Sequence, residues 1–159
     1  MSTSVLFVCT GNICRSPTAE GIFRSMVAEA GLSEAIRVDS VGMIAYHVGE
    51  KADPRSIEMA RSRGYEMSDL RARQINRNDL RDFDWIIPMD QGHESQIFEM
   101  APGLDRNRVR LLLSFINNPI TLDVPDPYYG GQEGFQHTFD LIEDGLKGLL
   151  DFLKKEHQL

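Results

Sequence analysis

Cys9 and Arg15 are separated by Thr10-Gly11-Asn12-Ile13-Cys14 and followed by Ser16-Pro17. The apolar run Val5-Leu6-Phe7-Val8 just before them has the length of a buried strand, and a helical pattern opens at Pro17. A strand–loop–helix turn of this kind can aim successive backbone N–H groups at one spot, where the positive end of the helix dipole adds to their pull on an anion. The planar fork of Arg15 can close such a nest around phosphate oxygens. Gly11 and Asn12 are the residue types best suited to the left-handed backbone that a tight loop needs. Ser16 is expected as the helix N-cap, with Pro17 in the first helical position. Cys9 falls at the base of the nest, where the same positive field is expected to lower its thiol pKa to roughly 3.5–7.5. A thiolate beneath a bound phosphoryl group is a nucleophile. A lone cysteine is more often buried and inert. The strand before and the helix after this one favour the chemical reading.

The rest of the chain supplies elements to hold such a loop. Short apolar runs alternate with longer amphipathic stretches, the pattern of βαβ units, and imply an α/β fold with helices on both faces of a parallel sheet. Strands are expected at Ser4–Cys9, Ile36–Val41, Asp84–Met89 and Val109–Leu112. Helices are expected at Pro17–Ala30, Pro54–Arg63, Glu94–Met100 and Glu133–Lys155, with a helical turn at Asn78–Phe83. Phe135, Phe139, Ile142, Leu146, Leu149 and Leu153 make one apolar stripe on the last helix. A long loop rich in Pro, Asp, Tyr and Gly runs over Asn117–Gly131. Ligands of such sheets bind at the carboxyl ends of the strands, which is where the Cys9 loop falls.

Composition narrows the function further. With 159 residues and 42% hydrophobic content, the chain suits one domain spanning 1–159. A net charge of −7 argues against nucleic acid as a partner, though not against a local anion site. No stretch approaches the ~20 apolar residues of a membrane span. No secretory leader is evident, so a cytoplasmic location is expected. The two cysteines, Cys9 and Cys14, are too few for a disulfide scaffold and suggest reactive thiols in a reducing compartment. His47, His93, His137 and His157 show no metal-ligand spacing, so neither metal nor other cofactor is expected.

Val8-Cys9-Thr10-Gly11-Asn12-Ile13-Cys14-Arg15-Ser16-Pro17 is similar to the phosphate-loop signature of the low-molecular-weight protein tyrosine phosphatases. The resemblance extends over nearly the whole chain, through Asp39-Ser40-Val41-Gly42, Asp53-Pro54-Arg55, Ala72-Arg73-Gln74, Met89-Asp90 and Asp126-Pro127-Tyr128-Tyr129. It implies a four-stranded twisted sheet in the order 2-1-3-4. It also implies a two-step reaction in which Cys9 becomes a phosphocysteine and Asp126 serves first as general acid and then as general base. Arg15 and the loop amides of Thr10, Gly11, Asn12, Ile13 and Cys14 would hold the phosphoryl oxygens. Ser16 would help the thiolate leave, and Asn12, with Ser40, would hold the loop's shape. Tyr128 and Tyr129 would wall the entrance, with Tyr46 opposite. Cys14 would pair with Cys9 on oxidation. The implied partners are phosphotyrosine proteins and a cognate tyrosine kinase, with the chain a monomer or weak dimer.

The sequence departs from the family pattern in places. Leu70 stands where some members carry a supporting histidine, and Val41 and Met43 replace smaller or polar residues. His93 replaces a position that is often Asn and is expected at the surface. Three other functions compete. An arsenate reductase would need a further thiol downstream of Cys14, and there is none. A protein-arginine phosphatase would carry Thr where Ile13 stands. A non-catalytic phosphate-binding module would have no use for Asp126.

Overall fold

The computed structural model describes residues 2–127 and 131–159. Its centre is β1 (Thr3–Cys9), every residue of which is buried. β1 pairs in parallel with β2 (Ile36–Gly42) on one side and β3 (Trp85–Pro88) on the other, giving the order β2-β1-β3 among the described residues. Because strand side chains alternate in direction, Val5, Phe7 and Cys9 enter one core while Leu6 and Val8 enter the other. The first core is closed by α1 (Arg15–Glu29) and α5 (Gln132–His157). The second is closed by α3 (Arg77–Asp82) and α4 (Gln91–Met100). The result is the expected α/β arrangement of helices on both faces of a parallel sheet.

The fourth strand is reduced to a single residue. Val109 forms one parallel bridge to Ile86, and the Arg110 N–H donates to the Ile86 carbonyl at 3.0 Å. Single-turn 3₁₀ helices at Arg106–Arg108 and Leu112–Phe115 bracket this segment and leave it no length to extend. The order 2-1-3-4 thus survives only as a three-stranded sheet with one bridged residue at its edge.

The start of α1 also differs from expectation. The helix begins at Arg15, with Cys14 as an N-cap that makes no side-chain cap bond, so Pro17 is the third helical residue. The first turn of a helix has no use for its N–H groups, and Pro is tolerated there as well as at the first position. α2 (Pro54–Ser62) starts as expected, its cap being the Asp53 carboxylate accepting from the Arg55 N–H at 2.8 Å.

The apolar stripe of α5 is buried as its spacing implies. Two glycines bring this helix tightly against the turn at Leu112–Phe115. A Cβ at Gly145 would lie 2.8 Å from Leu112 Cγ, and one at Gly148 only 2.1 Å from the Phe115 carbonyl oxygen. The same helix reaches the loop that carries Asp126, since the Thr138 hydroxyl donates to the Pro125 carbonyl at 3.2 Å. Gly148→Ala is therefore expected to destabilise the fold by about 2–4 kcal/mol, because backbone rather than a flexible side chain must move. Thermal unfolding would read this as a Tm lower by roughly 5–10 °C. An unchanged Tm would mean that the helix and turn can separate freely.

Candidate active site

The carboxyl ends of all three strands converge on the loop between Cys9 and Arg15. Parallel register sets Phe7 beside Ser40 and Cys9 beside Gly42. The loop lies so close over β2 that a Cβ on Gly42 would be 2.8 Å from the Thr10 carbonyl oxygen and 2.9 Å from the Asn12 nitrogen. Three backbone bonds pin it in place, from Met43 N–H to the Cys9 carbonyl, from Ile44 N–H to Thr10, and from Asp53 N–H to Ile13.

Asn12 takes the left-handed conformation, with φ at 58°. Gly11 does not. Its lack of a side chain serves another purpose, since a Cβ there would meet the His47 ring at 3.0 Å. The Asn12 side chain is fully used. Its amide N–H group donates to Ser16 Oγ at 2.7 Å and Ser40 Oγ at 2.9 Å, and its carbonyl accepts from the Arg73 N–H at 3.0 Å. Ser40 in turn donates to Glu20 at 2.6 Å. Burial pushes the Glu20 carboxyl pKa up, and the bonds from Ser40 and Arg24 offset this only in part. This chain of bonds supports the loop from behind, and Leu70 is buried in the first core. Val41 is buried in the second core, Met43 packs against it, and neither lines the cavity in front of Cys9.

Ser16 does not cap the helix. Its Oγ lies 3.0 Å from Cys9 Sγ and 3.2 Å from the Val41 carbonyl. It has one proton to give, and with Asn12 already donating to it, that proton can swing from the carbonyl to the sulfur when Cys9 is a thiolate. Cys14 is buried nearby. Burial, then the charges of Asp53, Cys9 and Asp126, push its thiol pKa up to about 12, so it is a neutral thiol at ordinary pH.

Arg15 is almost wholly buried, at 4% exposure. Its Nη1 donates to Asp90 Oδ2 at 2.9 Å and to the Val124 carbonyl at 3.0 Å. That leaves the Nε–Nη2 edge as the one that can face an anion. Nη2 lies 3.7 Å from Asp126 Oδ2 and donates weakly to Thr10 Oγ1 at 3.4 Å. Burial alone would raise the Asp90 pKa, but the His93 backbone N–H, the His93 ring and Arg15 outweigh it, and the carboxyl ends below its ordinary value.

Cys9, Thr10, Gly11, Ile13, Cys14, Arg15 and Asp126 line one cavity of about 300 Å³, with Ile44, Tyr46 and His47 on its rim. Tyr46 is 82% exposed and its ring stands edge-on to His47, 4.8 Å between centroids. Asn12, Ser16 and Ser40 sit behind the cavity wall. Tyr128 and Tyr129 lie outside the described residues. Among the described residues, no group of three His, Cys, Asp or Glu is placed to hold a metal ion.

Sequence reasoning missed several members of this site. Asp90 was legible only as a landmark, although it follows the carboxyl end of β3, where ligand-binding groups are expected. Glu20 and His47 carried no signal of their own. His93 is not at the surface but 3% exposed, with Nε2 at 2.8 Å from Thr10 Oγ1. Its place follows from Asp90, whose carboxylate caps α4 by accepting from the His93 N–H and so turns the ring inward.

A family model described as low molecular weight phosphotyrosine protein phosphatase matches residues 4–159. The chain is 41% identical over 156 residues to the low molecular weight protein-tyrosine-phosphatase YfkJ of Bacillus subtilis, covering 98% of this chain and 99% of that one. It is equally 41% identical over 161 residues to a low molecular weight protein-tyrosine-phosphatase of Streptomyces coelicolor, covering 98% and 96%. The crystal structure of YfkJ superposes with a TM-score of 0.93 at 39% identity, covering 98% of this chain and 97% of that one.

Proposed function

This chain belongs to the low molecular weight phosphotyrosine protein phosphatase family, and we propose that it hydrolyses phosphotyrosine in proteins through a phosphocysteine on Cys9. The observation that carries this reading is the shared cavity. Cys9, the loop, the buried Arg15 fork and the Asp126 carboxyl all face one space of about 300 Å³.

In the first step the Cys9 thiolate attacks phosphorus, and the bond from phosphorus to the phenolic oxygen breaks. Asp126, entering as the acid, gives its proton to the departing phenolate. Loop N–H groups and the Nε–Nη2 edge of Arg15 stabilise the charge on the equatorial oxygens. In the second step the Asp126 carboxylate takes a proton from water as the water attacks phosphorus. The sulfur–phosphorus bond then breaks, and Ser16 O–H donates to the thiolate as it re-forms. Each proton is returned, and no cofactor enters this sequence.

Ile13, Ile44 and Tyr46 give the cavity an apolar side, which suits a phenyl ring better than a guanidinium. The family acts on phosphoproteins, and a tyrosine kinase would supply the substrate. A reducing compartment such as the cytoplasm suits a thiolate nucleophile. Among the described residues no helix is long and apolar enough to cross a membrane. The reading treats residues 1–159 as one catalytic domain.

Initial rates on phosphotyrosine, phosphoserine and phosphoarginine peptides in EDTA test the reading, with Cys9→Ser as control. Turnover of phosphotyrosine alone, abolished by Cys9→Ser while phosphate still binds, is expected. Preference for phosphoarginine would overturn the substrate class, and turnover by Cys9→Ser would overturn the mechanism.

Asp126→Ala is expected to slow aryl phosphates with poor leaving groups most, by about 10²–10⁴-fold, the usual worth of a general acid. An equal loss for all leaving groups, seen as parallel Brønsted plots, would remove Asp126 from that role.

We also propose that Cys14 resolves oxidised Cys9. Peroxide would convert the Cys9 thiolate to a sulfenic acid. The Cys14 sulfur, losing its proton as it attacks, would then form the sulfur–sulfur bond while the Cys9 S–O bond breaks, the hydroxide leaving with that proton as water. Mass spectrometry of peroxide-treated enzyme should find the Cys9–Cys14 bond. Sulfonic acid on Cys9 with no such bond would dismiss the role.

A further inference from the structure

Behind Thr10 a ring of four groups closes on itself. Arg15 Nη1 donates to Asp90 Oδ2 at 2.9 Å. The other carboxylate oxygen, Asp90 Oδ1, accepts the His93 backbone N–H at 2.9 Å and lies 3.1 Å from the ring nitrogen His93 Nδ1. The opposite ring nitrogen, Nε2, lies 2.8 Å from Thr10 Oγ1, and Thr10 Oγ1 accepts from Arg15 Nη2 at 3.4 Å. His93 is buried, and its Nδ1 makes no hydrogen bond of good geometry.

The protons in this ring can be assigned by elimination. Arg15 can only donate, so the Thr10 oxygen accepts from it and its own hydrogen is free to point at His93. Were the His93 proton on Nε2, the Nδ1 lone pair would lie beside the Asp90 carboxylate at 3.1 Å, which is repulsive. With the proton on Nδ1, the positive end of that N–H lies beside the negative oxygen, an electrostatic contact too bent to be a hydrogen bond, and Nε2 can accept from Thr10. We propose that His93 is a positioning residue of the phosphate loop. As the Nδ1–H tautomer it accepts the Thr10 hydroxyl, turns the Thr10 oxygen towards Arg15, and so fixes the guanidinium edge that meets the phosphoryl group. The proposal rests on the phosphatase reading above for its effect on turnover, but not for the arrangement itself.

The arrangement requires a neutral imidazole. A second proton on Nε2 would reverse the Thr10 bond and set another cation beside Arg15. Of the charged groups around the ring, Arg15 on α1 opposes protonation, while Asp90 at the start of α4 and Asp123 and Asp126 on the loop favour it. Burial is the largest influence, and the His93 pKa falls to about 4. The ring should therefore hold above that pH and fail below it.

Nitrogen-15 NMR of the labelled wild-type protein at neutral pH tests the tautomer directly, with the His93 signals identified by their loss in His93→Gln. Nδ1 is expected in the protonated range and Nε2 as a bare acceptor, and the reverse would overturn the proposal. In kinetics with p-nitrophenyl phosphate near pH 5.5, His93→Ala should lower kcat/KM roughly tenfold through misplacement of Arg15. Gln, which can keep a bond to Thr10 but cannot titrate, should restore most of the activity. It should also give a shallower fall of log(kcat/KM) below about pH 4. In a Thr10→Val background His93→Ala should cost nothing more. An equal cost in both backgrounds, or an acid limb as steep in His93→Gln as in the wild type, would show that His93 does not act through Thr10. If the wild type hydrolysed no phosphate ester, the phosphatase reading would fall, while the NMR result would still decide the proton positions.

Discussion

Asn12 holds a backbone conformation that costs most residues of order 1–3 kcal/mol, with its φ at 58°. Three hydrogen bonds from its side chain keep it there, to Ser16, to Ser40 and from the Arg73 backbone. A typical bond of this kind contributes about 1 kcal/mol net, so together they offset the strain. The geometry of the whole loop follows from this one residue. Its turn lets the chain pass from the end of β1 to the start of α1 with Cys9 and Arg15 facing the same cavity. The partners of Asn12 come from α1, β2 and the segment after α2, so the loop is set by tertiary structure and would not hold its shape as an isolated peptide.

The parallel sheet is what makes those partners available. β1 is central and buried on both faces, and its neighbours end beside it. β2 delivers Ser40 and the bare Gly42 against which the loop lies, and β3 leads directly to Asp90. The positive charge of Arg15 is buried, which would be costly without compensation. It is met by the Asp90 carboxylate and the Val124 carbonyl on one edge, and its other edge is turned to the cavity. A bound phosphate dianion would therefore meet a fixed cation and fixed amides that need little reorganisation, the condition under which electrostatic stabilisation of a transition state is largest.

Much of this was legible in the sequence. The place of the Cys9 loop between strand and helix, the burial of β1 and the stripe on α5 follow from residue type and spacing alone, although the loop's final shape needs its distant partners. The misses have a common cause. Val109–Leu112 is apolar enough for a strand, but the flanking 3₁₀ turns at Arg106–Arg108 and Leu112–Phe115 leave it a single bridge. Ser16-Pro17 looks like a cap and a first helical position, yet Ser16 is drawn inward by Cys9 and Asn12, and the helix starts earlier. His93 is polar, on a polar stretch, and buried only because Asp90 caps the helix and folds its ring towards Thr10. Glu20 is the end of a hydrogen-bond chain that crosses from α1 to β2. What unites them is hydrogen bonding, in the turns beside Val109 or between distant segments for the others, that residue type and spacing do not record.

The central claim is that Cys9 carries the phosphoryl group between two steps. Rapid acid quenching of the enzyme during turnover of a phosphotyrosine peptide, followed by mass spectrometry of the Cys9 peptide, tests it most directly. The account predicts a phosphate on Cys9 that appears before steady state and disappears when substrate is exhausted. A peptide that stays unmodified while product accumulates in a burst, or phosphate found on another residue, would contradict it.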